Sequence, residues 1–140
     1  MAVGVMAAGG NCAQAVLGVF CEESGLDPKK AMMLAGGFGA GMARRQEVCG
    51  AVAGGIMVIG LRHGPESAGD GEAKERTYRL TRDLMSRFAA ERGSCLCSEL
   101  LSGCDLATAA GQKKYNEEGL SEKICRPCVR AAVRILEEIL

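Results

Sequence analysis

The sequence predicts an all-α fold: a single compact domain of about five to six helices packed around a buried glycine-rich helix. Three observations lead there. Apolar residues recur at spacings of three and four along most of the chain. Alternating strand patterns are absent, and β-branched residues fall mostly inside helical runs. The charges are segregated: residues 1–61 hold 8 of the 34 charged side chains and 13 of the 20 glycines, so that half reads as core and residues 62–140 as a solvated wrapper. The 140 residues, 48% of them apolar, suffice for one hydrophobic core, and no stretch reads as a linker, so residues 1–140 are expected to form one unit.

Taken in order, Asn11 to about Ser24 places Cys12, Val16, Val19 and Phe20 at helical spacing, with Gly25 as a stop. Asp27-Pro28 is a cap followed by a first-turn proline and opens a helix from Lys29 to about Leu34. Glycines 36, 37, 39 and 41 then interrupt. A phosphate-cradling loop is not expected there, because no strand precedes it and no G-K-[ST] follows; a turn beside a buried helix is. The methionines at 32, 33, 42 and 57 are expected to fill core gaps. Val48 to Leu61 is apolar nearly all round, the mark of a buried central helix, and Gly50, Gly54 and Gly55 within it suit close approach by a neighbour. Arg62 to Gly71 reads as a loop.

Glu72 to about Glu91 forms a long amphipathic helix with Leu80, Leu84 and Phe88 on one face. Glu72/Arg76, Glu75/Arg79 and Asp83/Arg87 are its i,i+4 pairs. A short helix covers Cys97 to Leu101. The last runs from about Arg126 to Ile139, with Val129, Ala132, Val133, Leu136 and Leu140 as its apolar stripe.

The 17 basic and 17 acidic residues balance, which removes the electrostatic case for nucleic acid or an acidic membrane. Met1 to Cys21 is free of charge, but Gly4, Gly9, Gly10, Gly18, Asn11 and Gln14 leave it too weakly apolar for a membrane span, and it lacks the basic start of a signal peptide. A cytoplasmic location is therefore expected. There thiols stay reduced, and 8 cysteines point to metal or redox chemistry rather than structural disulfides.

Cys125-Arg126-Pro127-Cys128 is the sharpest local motif. Pro127 is tolerated only in a first helical turn, which puts Cys125 near the N-cap, where free N–H groups and the helix dipole favour a thiolate. The same spacing suits two ligands of one metal. Cys95, Cys97 and Cys104 form a second cluster that resembles half of a zinc or iron–sulfur framework. Cys12 and Cys49 stand alone on apolar helices and, locally, read as core. The sole histidine, His63, follows the buried helix and reads as solvated.

Read together, the cysteines resemble the redox-active family named for its motif, C-GCAxxG-C-C. Gly10-Asn11-Cys12-Ala13-Gln14-Ala15-Val16, Gly37-Phe38-Gly39-Ala40-Gly41-Met42, Cys49-Gly50-Ala51-Val52-Ala53-Gly54, Phe88 with Cys97-Ser98-Glu99-Leu100-Leu101, and Cys125 carry the match in order. The resemblance implies a small helical redox or metal protein, neighbouring a transport system, with Cys12, Cys49, Cys97 and Cys125 as its site. Cys21, Cys95, Cys104 and Cys128 match no family cysteine.

Three functions compete. In the first, Cys12, Cys49, Cys97 and Cys125 converge from four helix ends on an iron–sulfur cluster or zinc ion, for electron transfer with a redox partner protein. In the second, a metal-free thiol–disulfide oxidoreductase or redox sensor, Cys125 attacks and Cys128 or Cys97 resolves. In the third the protein is a non-enzymatic, zinc-stabilised helical module, with the glycine-lined helix as the seam of a homodimer.

Overall fold

The computed structural model describes residues 2–140, and among them every regular element is helical. The chain runs through α1 (Ala2–Ala7), α2 (Cys12–Phe20) and α3 (Pro28–Ala35), then a 3-10 turn, Gly36–Phe38, and the one-turn α4 (Gly39–Met42). There follow α5 (Gly50–His63), α6 (Gly71–Arg92), α7 (Cys97–Leu100) and α8 (Ala109–Glu117). A π-helical turn, Ser121–Cys125, then runs into α9 (Arg126–Ile139). The segments outnumber the five to six expected. Of the additions, α1 and α4 are too short to announce themselves, and α8 lacks a strong apolar stripe.

The core lies among α2, α5, α6 and α9. Val16 and Leu17 of α2, Val52, Val58 and Ile59 of α5, Leu84 and Phe88 of α6, and Val129, Ile135 and Leu136 of α9 are at most 2% exposed. α5 meets α2 almost backbone to backbone: a Cβ at Gly54 would stand 2.7 Å from the Ala13 carbonyl oxygen. On another side, Gly55 faces Leu84 and Leu136. The glycine seam expected for a second copy is thus filled by this chain's own helices.

Several local expectations change. Met33 is 72% exposed and Met32 is 38% exposed, because α3 buries only Ala31 and Ala35, one turn apart, and turns its methionines outward. Of the three pairs expected on α6, Asp83–Arg87 forms, at 2.9 Å, whereas neither Glu72/Arg76 nor Glu75/Arg79 is among the ion pairs of the described residues. No described helix is long and apolar enough to cross a membrane.

α4 runs left-handed. Ala40, Gly41, Met42, Ala43 and Arg44 all have positive φ, from 52° to 70°, and the Ala43 N–H closes the turn on Gly39. An L-residue in this conformation costs about 1–2 kcal/mol. The turn is held from beneath by Gln46, whose side chain is buried. Its Nε2 donates to the Cys104 carbonyl at 2.9 Å and its Oε1 accepts from the Leu106 N–H at 2.9 Å. Gly41 packs flat on this support: a Cβ there would lie 2.6 Å from the Gln46 Cα.

Candidate functional site

Four cysteines stand where helices begin. Cys12 is the first residue of α2, Cys97 the first of α7, and Cys49 and Cys125 directly precede α5 and α9. Local chemistry sets each in place. Asn11 caps α2 by accepting from the Gln14 N–H, Gln14 returns the bond to the Asn11 N–H, and Asn11 Nδ2 donates to the Gly36 carbonyl at 3.1 Å. This ties the Cys12 end of α2 to the turn after α3. A strand-like bridge between Val48 and Leu96 sets Cys97 beside Cys49: the Cys49 N–H donates to Cys95 O and the Cys97 N–H to Glu47 O, both at 2.7 Å.

These four residues, with Cys128, line one cavity of 450 Å³ between α2, α4, α5, α7, α8 and α9. Its other walls include Leu100, Leu101, Leu106, Ile124, Gln112 and Tyr115, with Arg44 and Asn116, both exposed, at its rim. All eight cysteines are free thiols.

The thiols are arranged in pairs. Cys12 acts on Cys125, and Cys49 on Cys128, across the cavity they share. Within each pair the two sulfurs diverge in acidity. Donation to Cys125, reinforced by burial, holds the Cys12 proton well above the usual thiol range. The same bond from Cys12, with a second from Tyr115 whose hydroxyl lies 3.5 Å from Sγ, lowers Cys125 against the opposing effect of burial. Donation to Cys128, again with burial, raises Cys49 well above the usual range. Cys128 falls to about 7, through the Cys49 thiol first and the Arg92 guanidinium next. Cys97 stands apart, pushed up to about 12 chiefly by burial. Each pair thus sets a thiol of lowered pKa against one that holds its proton more tightly.

The helix-end explanation for Cys125 does not hold. Its backbone is right-handed helical, and the π turn delivers the chain into α9 without a break, the Arg126 N–H already bonded to Ser121 O. Its neighbours Cys12 and Tyr115 lower its pKa instead. The π turn also accommodates Pro127 without requiring a true helix start.

The second cysteine cluster assembles only in part: Cys97 and Cys104 share one buried group, which Cys95 does not join. Cys97 faces the cavity, Cys104 donates to Gly111 O at 3.1 Å, and Cys95 donates to Met85 O at 3.3 Å. Cys21 is a core residue bonded to Gly18 O. His63 ends α5 and does not line the cavity, so no Cys–His dyad forms there. Among the described residues, no group of three or more His, Cys, Asp or Glu side chains is arranged to hold a metal ion.

Tyr115, Arg92, Gln46 and Arg44 are site residues that sequence reasoning missed. Tyr115 lies in a helix without a strong apolar stripe, and Arg92 is one charge among many at the end of α6. No sequence signal marks Gln46 or Arg44.

The fold is thus all-helical, around a cavity lined by free thiols. The family model described as "Putative redox-active protein (C_GCAxxG_C_C)" matches residues 10–139, nearly the whole chain, and the chain belongs to that family. No curated protein and no solved structure matches it.

Proposed function

We propose that this protein is a dithiol–disulfide redox protein working through two cysteine pairs, Cys12–Cys125 and Cys49–Cys128, that share one cavity. The observation that carries this reading is that the four free thiols line one cavity, where each pair sets a more acidic thiol against one that holds its proton. Cys125 is the attacking residue. It is partly exposed, whereas Cys128 is 1% exposed. Its thiolate attacks a disulfide, one S–S bond breaks as a mixed disulfide forms, and Cys12 then attacks Cys125 Sγ to release the second thiol. Cys12 therefore takes the resolving role for which sequence alone offered Cys128 or Cys97. Cys128 and Cys49 form the second, deeper couple.

The donor set invites a second reading, because five thiols on one cavity are the right chemistry for zinc or an iron–sulfur cluster. In that case Cys12, Cys49, Cys97 and Cys125 would be the ligands and electron transfer the role. The reading is secondary because, among the described residues, no group of three or more His, Cys, Asp or Glu side chains is arranged to hold a metal ion.

Mild oxidation of anaerobically purified protein, followed by peptide mapping without reduction, tests the proposal. Cys12–Cys125 and Cys49–Cys128 disulfides are the expected products. Iron or zinc bound in stoichiometric amount, with thiols that resist oxidation until the metal is removed, would instead favour the second reading.

A further inference from the structure

The cavity has a one-sided charge. Among the described residues lining it, Arg44 is the only charged side chain. Arg44 enters none of the ion pairs of the described residues, whereas its neighbour Arg45 approaches Glu47 at 4.0 Å. It is presented by the strained left-handed turn, with φ of 70°, and that turn is braced by the buried Gln46. Strain of this kind persists where the surroundings over-determine it, and it clusters at functional sites. The sulfurs of Cys12 and Cys125 lie on the same cavity, whose 450 Å³ suits a small organic molecule.

We infer that the cavity takes a small organic disulfide carrying carboxylates, with its negative charge drawn to Arg44 at the rim and its S–S bond presented to Cys125. This rests on the dithiol reading above and adds its substrate class. The Cys125 thiolate attacks one sulfur and the first arm leaves as a thiolate. That arm takes the Cys12 proton and departs as a thiol. Cys12 then attacks Cys125 Sγ, which forms the Cys12–Cys125 bond and expels the second arm as a thiolate. Two electrons pass from the cysteine pair to the substrate, and an external dithiol returns the pair to its reduced form.

The test compares three disulfides of similar size in single-turnover reactions with the reduced full-length protein: dithiodiglycolate, a dianion; bis(2-hydroxyethyl) disulfide, which is neutral; and cystamine, a dication. Each rate is normalised to that of the same disulfide with a free small dithiol. The dianion is expected to be favoured over the dication by about tenfold at low salt, an advantage that shrinks as salt rises. Arg44→Gln should reduce the ratio to about twofold, while Arg44→Lys and Arg45→Gln should largely keep it. A wild-type ratio near one, or a ratio unchanged in Arg44→Gln, overturns the substrate class. In either case oxidation of Cys12 and Cys125 by the neutral disulfide leaves the dithiol reading standing. If none of the three oxidises that pair in protein shown to be folded by circular dichroism, the dithiol reading fails and the substrate class with it.

Discussion

The Tyr115 hydroxyl lies 3.5 Å from Cys125 Sγ and donates to it from α8, an element that brings no cysteine of its own. A phenol offers a hydrogen bond without adding charge, and it stabilises the thiolate more than the thiol. Tyr115→Phe should therefore raise the Cys125 pKa and slow its alkylation at neutral pH by roughly threefold to tenfold, with the fold intact. Peptide mass spectrometry after timed alkylation measures this. An unchanged rate would leave Tyr115 as a packing residue only.

Cys128 titrates near 7 because the Cys49 thiol donates to it and Arg92 adds positive charge nearby. Removing that charge disfavours the thiolate, so Arg92→Met should move the midpoint upward by roughly one pH unit and reduce the thiolate present at neutral pH. The ultraviolet thiolate absorbance of wild type and variant, followed through the titration, provides the comparison. A downward movement would contradict the assigned role of Arg92.

Gln46 closes two buried backbone groups, the Cys104 carbonyl and the Leu106 N–H. Gln46→Leu strands both and removes the support under the left-handed turn. A loss of about 2–4 kcal/mol in denaturant unfolding is expected, with slower reaction at Cys125 in whatever fraction stays folded. A loss below about 0.5 kcal/mol would show that the turn stands without this brace.

At Gly54 a Cβ would stand 2.7 Å from Ala13 O, and main chain cannot swing away as a flexible side chain can. Gly54→Ala should force α2 and α5 apart and lower the melting temperature, at a cost of about 1–3 kcal/mol. The same step separates Cys12 from Cys49, so disulfide capture at Cys12–Cys125 should also weaken. Neutral or improved stability, from better helix propensity alone, would refute the close crossing.

Asn11→Ala removes the cap of α2 and its bond to the Gly36 carbonyl in one change. About 1–2 kcal/mol of stability should be lost, and Cys12 should become more readily alkylated as its helix end frays. Cys12 protection equal to wild type would argue that the cavity walls, not the cap, hold it.

What the sequence made legible was whatever repeats or forms a pattern along the chain. The long helices α6 and α9 lie within a residue of their expected bounds because each carries a sustained 3.6-residue period. Cys12, Cys49, Cys97 and Cys125 were legible only as a set, since Cys12 and Cys49 each look like core residues in isolation. The pairing of Cys12 with Cys125 and Cys49 with Cys128 was not legible, because it depends on how the ends of four helices meet in space. The left-handed turn left no trace either: Ala40, Met42 and Ala43 favour ordinary helix, and only tertiary support makes them do otherwise. Pro127 marked the start of α9 correctly, but a π turn extends the helix back past it, and a proline cannot announce that.

The gathering of cysteines from four separate segments of the chain has a consequence for the order of synthesis. Of these cysteines a ribosome makes Cys12 first, then Cys49 and Cys97, and last Cys125 and Cys128. Until α9 emerges and docks against α2 and α5, the early thiols have no partners and nothing shields them. The nascent chain is therefore most open to oxidation and stray metal during its own translation, and completing the last helix is the event that brings Cys12 and Cys49 into their pairs.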